Sequence, residues 1–205
     1  MTVSSDPARP LSRRALPVQR LRRAVLILLA GVLPAAFAQA VADPWQAAAG
    51  EGVAIMLRHA ATESGIGDPP GFRLDDCTTQ RNLSAAGRAQ AARFGAALAE
   101  RRIRIDEVRS SQWCRCLDTA RLAFPALAVR ADPMLNSFFQ DRSAEPAQTA
   151  ALRAYLKDLG LRRVVLVTHQ FSIAALTGES VSMGEAVVVA MRNGEPRVLA
   201  RLRVD

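Results

Sequence analysis

The chain contains two histidines, and each closes a short aliphatic run: Val53-Ala54-Ile55-Met56-Leu57-Arg58-His59 and Val164-Val165-Leu166-Val167-Thr168-His169. Continuous apolar runs of this length are characteristic of strands buried on both faces, the kind found in parallel sheets covered by helices. Ligands of open α/β sheets sit just beyond the carboxyl ends of such strands. Two imidazoles far apart in the chain are therefore expected to meet at one site. An arginine precedes the first of them, which suits an anion.

At 205 residues and 50% hydrophobic content, the chain can bury one good core and does not require two. Residues 1–42 are expected to be a signal peptide, because six arginines precede the apolar run Ala24–Leu33 and small residues follow it. Ala36-Phe37-Ala38 and Ala40-Val41-Ala42 are both suitable cleavage ends. The apolar stretch Ala24–Ala38 is shorter than the roughly 20 residues of a stable bilayer span, so an uncleaved anchor is the lesser alternative. Ser12-Arg13-Arg14 begins like a twin-arginine signal but continues unlike one, which leaves the export route open. Residues 43–205 form the expected catalytic domain, periplasmic or secreted, with no stable membrane span once the signal is removed.

The net charge of +8 is concentrated in the leader, which holds five of those charges. Nucleic-acid binding would need a basic face with aromatics for stacking, and only 5% of residues are aromatic, so no nucleic-acid partner is expected. Three cysteines, Cys77, Cys114 and Cys116, in an exported chain point to one disulfide with one thiol left over. Cys114 and Cys116 are two apart and point different ways in regular structure, so Cys77 pairs with one of them. A zinc or redox protein is the rival, but there is no CxxC and no histidine close to a cysteine, so no metal is expected.

The first strand is expected over Gly52–Leu57, followed by a turn-rich loop, Glu63 to Gly71, that can cover the site. The loop's glycines do not have dinucleotide-binding spacing. Ser84 is expected to cap a helix running to about Arg101, with Ala91, Phe94, Ala97 and Leu98 on one face. A short strand at Val108 leads to Ser110-Ser111, then come a helix over Leu117–Phe124, a strand over Leu127–Val129, and a helix over Ala147–Leu159 closed by Gly160. After the second histidine strand, runs from Glu185 to Met191 and Arg197 to Val204 flank Asn193-Gly194, the favoured tight-turn pair of a hairpin. The alternation predicts an α/β fold with a mixed sheet between helical layers.

Four segments in order carry a family resemblance: Leu57-Arg58-His59-Ala60, Leu83-Ser84-Ala85-Ala86-Gly87-Arg88, Ser110-Ser111-Gln112-Trp113-Cys114-Arg115, and Val165-Leu166-Val167-Thr168-His169. With them the chain resembles the histidine phosphatase superfamily, also called phosphoglycerate mutase-like, and within it the small exported bacterial members. Ala60 stands where the family usually has glycine. The resemblance implies a three-layer α/β/α sandwich with a mostly parallel central sheet. It implies that His59 is the nucleophile and that Arg58, Arg115 and His169 bind the phosphoryl group. Arg81 and Asn82, just before the first long helix, are further substrate-binding candidates, whereas Ser84, Gly87 and Gln90 read as structural. Arg115 has a plainer alternative, an ion pair with Asp118 one helical turn away.

A neutral imidazole can attack phosphorus and split hydrolysis into two steps through a phosphohistidine. Arginine forks and a protonated second histidine would offset phosphoryl charge without a cofactor, so the two histidine pKa values are expected to diverge. The proton donor is missing. The family's branches place a glutamate after the second arginine segment or an aspartate after the second histidine; here Met134–Phe139 contains no glutamate and Gln170 follows His169. Glu63, Asp68, Asp76 and Asp141 are the loop carboxylates available as substitutes, with Asp141 and Glu63 taken first. The expected activity is a metal-independent phosphatase for phosphomonoesters or phosphoramidates, its partners a phosphorylated small molecule or envelope glycan such as a phospho-sugar. The alternative is a non-catalytic phosphate-binding envelope module that has lost its acid. Mutase activity is not expected, because the chain is too short for the insertions of larger members.

Overall fold

The computed structural model describes residues 1–3 and 43–204. The expected signal peptide and its alternative as an anchor lie outside the described residues beyond position 3. Among the described residues no helix is long and apolar enough to cross a membrane.

Alternating burial on the two faces of the strands builds the fold. In β1 (Val53–Arg58), Val53, Ile55 and Leu57 face one helical layer while Ala54 and Met56 face the other. β4 (Arg163–Thr168) behaves likewise, with Val165 and Val167 on the first side and Val164 and Leu166 on the second. Side chains such as Ile55, Leu57 and Leu166, each removed from water by about 1.5–3 kcal/mol of transfer free energy, make a double-sided strand stable only if both faces are covered. α1 (Pro44–Ala49), α2 (Ala85–Glu100) and α3 (Cys114–Ala123) cover the first face; α4 (Glu145–Lys157) and α5 (Gln170–Thr177) cover the second.

The sheet order is β3-β2-β4-β1-β5-β6, with β2 at Glu107–Ser110, β3 at Val129–Ala131, β5 at Ala186–Arg192 and β6 at Glu195–Leu202. The first four strands are parallel, and β5 and β6 are antiparallel to their neighbours. The three-layer α/β/α architecture read from the alternation is thus the observed one. Asn193 and Gly194 both adopt positive φ, as the tight β5–β6 hairpin requires.

Several boundaries differ from expectation for local reasons. α3 starts three residues before Leu117 because its first amide is capped from a distance: the Cys114 N–H donates to Oε1 of Gln80, 3.0 Å away. α4 starts at Glu145 rather than Ala147, with Pro146 in its first turn, where a missing N–H costs nothing. β3 lies two residues later than expected, since its register is set by pairing of Val129 with Val108 of β2. The short helices α1 and α5 were not foreseen; α5 begins directly after His169 and is closed by Gly178 in the left-handed conformation.

Candidate active site

β1 and β4 are adjacent and parallel, with Arg58 opposite Thr168, so the next residue of each strand is a histidine at the same end of the sheet. The His59 amide donates to the Thr168 carbonyl at 3.0 Å, and the two imidazole centroids are 5.4 Å apart. The first turn of α3 brings Arg115 to this edge, and the loop after β1 brings Arg81 and Asp68. Together they line a pocket of about 300 Å³, with Ile66, Trp113, Phe139 and Phe171 among its other walls.

His59 is poised in one tautomer. Its Nδ1 lies 2.9 Å from the Ala60 carbonyl, an acceptor, so Nδ1 carries the hydrogen and Nε2 keeps its lone pair. Burial, reinforced by the Arg115 charge, depresses its pKa to about 3, so the ring is neutral in neutral solution. Each of the three pocket arginines presents a buried Nε without a hydrogen-bond partner: Arg58, Arg81 and Arg115. Buried donors left unsatisfied cost free energy, and all three arginines line the one pocket, where their guanidinium charge suits an anion.

His169 departs from the expected pattern. Burial, followed by the His59 and Arg115 neighbours, lowers its pKa well below the usual value, so the two histidines do not diverge in the free protein. Both are buried among guanidinium groups, and a second positive imidazole there would be repelled. Ser111 Oγ donates to Asn136 Oδ1 at 3.2 Å and so accepts from His169 Nε2 at 2.9 Å, which leaves Nδ1 of the neutral ring as a lone pair able to take a proton. Asn136 occupies the segment searched for a glutamate; its amide orients Ser111 and, through it, the histidine.

Of the carboxylates considered as proton donors, the structure brings Asp68 to the pocket. Glu63 is exposed and lines no wall. Asp141 is also exposed outside the pocket, its carboxylate accepting from the Ser143 amide and hydroxyl at the start of a short helical turn. Asp76 is turned outward and pairs with Arg73 at 2.5 Å. Asp68 is buried with Arg115, both side chains 5% exposed and their atoms 2.7 Å apart. It also accepts from Trp113 Nε1 at 2.9 Å and the Arg81 amide at 3.0 Å. Burial alone would raise its pKa, but the Arg115 hydrogen bond and charge outweigh burial and lower it. Asp68 is therefore a clamp on Arg115 and a poor proton donor. Three arginines against this one carboxylate leave the pocket two positive charges, which match a phosphoryl dianion.

The remaining expectations resolve as follows. Arg115 does not pair with Asp118, which instead meets Arg88 at 3.5 Å. Arg81 lines the pocket, held by the Gly65 carbonyl. Asn82 does not: its amide donates to the Cys77 carbonyl at 2.6 Å and shapes the loop. Ser84 caps α2 by accepting from the Gly87 amide at 3.0 Å, and a Cβ on Gly87 would fall 1.8 Å from the Ala61 carbonyl oxygen, so only glycine lets α2 approach the loop behind His59. Gln90 bridges the Ala61 amide and the Met183 carbonyl, each at 3.0 Å. Nothing in the sequence marked Ile66, Phe139 and Phe171 as pocket residues, since isolated apolar residues in loops, or in the first turn of a short helix as Phe171 is, carry no periodicity.

The disulfide joins Cys77 to Cys114 and leaves Cys116 buried. Disulfide sulfurs are not thiolates, and burial pushes the Cys116 thiol up to about 12, so the cysteines present no thiolate pair to a zinc ion. The bridge ties the loop carrying Asp68 and Arg81 to the residue before Arg115. Cys77→Ser is expected to lower stability by about 3 kcal/mol and to weaken phosphate binding, measured by denaturation midpoint and product inhibition. An unchanged inhibition constant in the destabilised variant would confine the bridge to a structural role.

A pH profile follows from the neutral state of His59. Because its proton is lost near pH 3, the nucleophile stays competent throughout the mildly acidic range. An acid limb of kcat/KM near pH ~6 should then belong to the second ionisation of the substrate phosphoryl group. Profiles measured with two aryl phosphates of different second ionisation should have limbs that shift with the substrate. A limb that stays put would instead report a histidine.

Sheet order, paired histidines and converging arginines define an α/β protein of the phosphoryl-transfer class. The family model of the histidine phosphatase superfamily (branch 1) matches residues 54–140. Over those residues, 87 of the chain's 205, the chain is similar to that superfamily. Among solved structures, the fold is similar to the protein histidine phosphatase SixA complexed with tungstate, at 16% identity and TM-score 0.55, covering 73% of this chain and 96% of that one. It is also similar to the phosphoserine phosphatase of Entamoeba histolytica in complex with 3-phosphoglyceric acid (16% identity, TM-score 0.56, 75% and 98% covered). The α-ribazole phosphatase of Shigella flexneri is a third (17% identity, TM-score 0.54, 75% and 99% covered). No curated protein sequence matches the chain.

Proposed function

We propose that the protein is an exported phosphatase that hydrolyses phosphomonoesters or phosphoramidates through a phosphohistidine at His59. The observation that carries this reading is a neutral His59, with Nε2 free to attack, beside three arginines whose buried Nε groups lack partners.

In the first step the Nε2 lone pair forms an N–P bond as the bond from phosphorus to the leaving atom breaks and that atom takes the electron pair. Arg58, Arg81 and Arg115 hold the phosphoryl oxygens, and His169 joins them when the bound dianion raises its proton affinity and Nδ1 takes a proton. In the second step water attacks phosphorus, the N–P pair returns to Nε2, and the water's proton passes to solvent or stays on the released phosphate. With Asp68 committed to Arg115, the leaving group takes its proton from solvent, so groups that depart readily are the better substrates.

Export is supported by the basic, then apolar, leader and by the disulfide. Among extracytoplasmic compounds, phosphorylated envelope sugars are one class that export would make available. The deciding experiment is hydrolysis of an aryl phosphate by the purified protein and by His59→Ala, with chelator present throughout. Turnover in the first alone supports the reading; phosphate binding without turnover in either would return the protein to a binding role.

A further inference from the structure

The mouth of the pocket differs in character from its floor. Guanidinium and imidazole groups and the buried Trp113 ring, its centroid 5.4 Å from that of His169, line the floor, while Ile66, Phe139, Phe171 and Met183 contribute apolar surface around it. These four come from separate parts of the chain. Two are exposed large hydrophobic side chains, Ile66 at 92% and Phe139 at 44%. Apolar side chains held in water forgo burial free energy in proportion to their exposed area, and their convergence on a pocket rim marks a place where a ligand supplies the cover.

The rim has aromatic geometry. The Phe139 and Phe171 ring centroids are 5.1 Å apart at 35°, and the Arg142 guanidinium lies 5.1 Å above Phe171. A Cβ on Gly67 would lie 3.6 Å from the Phe139 ring, so the loop after β1 closes against that ring with no side chain between. Polar groups that a sugar would need are largely occupied. Gln170 accepts from the Val181 amide at 2.9 Å and donates to the Glu179 carbonyl at 3.3 Å, and Ser137 Oγ accepts from the Phe139 amide at 3.3 Å. Gln140 is the other glutamine lining the mouth.

Resting on the phosphatase reading above, we infer that this rim is a leaving-group subsite for a planar aromatic group, so that the preferred substrates are aryl phosphomonoesters. Two independent features agree on it. The walls are flat and apolar, and the pocket's one carboxylate is held by three donors. A phenolate needs little proton assistance, whereas a sugar alkoxide needs much. His59 takes the phosphoryl group, the P–O bond breaks with its electron pair on the phenolic oxygen, and solvent protonates the phenolate.

The test compares kcat/KM for phenyl and 1-naphthyl phosphate with a fluoroalkyl phosphate whose alcohol matches phenol in acidity, and with a hexose 6-phosphate. Matching acidity separates ring recognition from leaving-group chemistry. The aryl esters should exceed the fluoroalkyl ester by about tenfold or more, and Phe139→Ala should reduce that ratio by about tenfold. Phe171→Leu, with unfolding midpoints for both variants, covers the case in which Phe139→Ala does not fold. Equal kcat/KM for matched aryl and alkyl esters, a ratio unmoved in both variants, or a preference for the hexose phosphate would overturn the subsite while leaving the phosphatase reading intact. No turnover of any ester would overturn both.

Discussion

His59→Ala is expected to lose turnover of an aryl phosphate by roughly 10⁴- to 10⁶-fold, while the protein stays folded. The loss is large because Nε2 is the atom that bonds to phosphorus, and the other groups of the pocket stabilise charge without supplying a nucleophile. Stability should change by only about 1–2 kcal/mol, because the replacement removes one hydrogen bond, to the Ala60 carbonyl, and leaves a small void. Rates, unfolding midpoint and acid-quench trapping of a labelled phosphoryl group check this together. Retention of one hundredth of the activity, or a phosphoryl label elsewhere in the chain, would remove His59 from its role.

Arg115→Met should have the second-largest effect, on two quantities at once. The rate should fall by about 10²- to 10³-fold, as when a preorganised donor to a developing phosphoryl charge is removed. Stability should fall by about 3–5 kcal/mol, because Asp68 is left buried with its cationic partner gone. Adding Asp68→Asn to that variant should restore most of the stability and none of the rate. In the otherwise unaltered protein, Asp68→Asn should lower the rate by the same factor for good and poor leaving groups. A loss confined to poor leaving groups would make Asp68 the proton donor and overturn its assignment as a clamp.

The floor of the pocket was legible in the chain because its parts sit on regular elements. His59 and His169 end strands whose aliphatic runs announce them, whereas Arg115, beyond the strand end at Ser110, was marked by the family resemblance, its helix starting earlier than the sequence indicates. The walls were not legible. Asp68, Ile66, Phe139 and Phe171 lie in loops or a short first turn, where neither period 2 nor period 3.6 applies. The choice among Glu63, Asp68, Asp76 and Asp141 could not be made from composition, since loop carboxylates look alike until one is buried against a guanidinium. Likewise, Asn136 looks like a lost acid in the chain and proves to be the support of Ser111 and His169.

By itself the sequence determined the layered α/β fold and the pairing of two distant histidines at one sheet edge, because hydrophobic periodicity dictates which strands are buried and where they end; the arginines around them were implied by the resemblance of the segments that carry them. Tertiary structure alone decided that both histidines are neutral, that Asp68 is held by Arg115, that Cys114 rather than Cys116 bonds Cys77, and that the mouth is aromatic. Those outcomes depend on distances between segments remote in the chain and on burial. Charge, proton affinity and contact are set by what surrounds a group, and that is determined only when the fold closes.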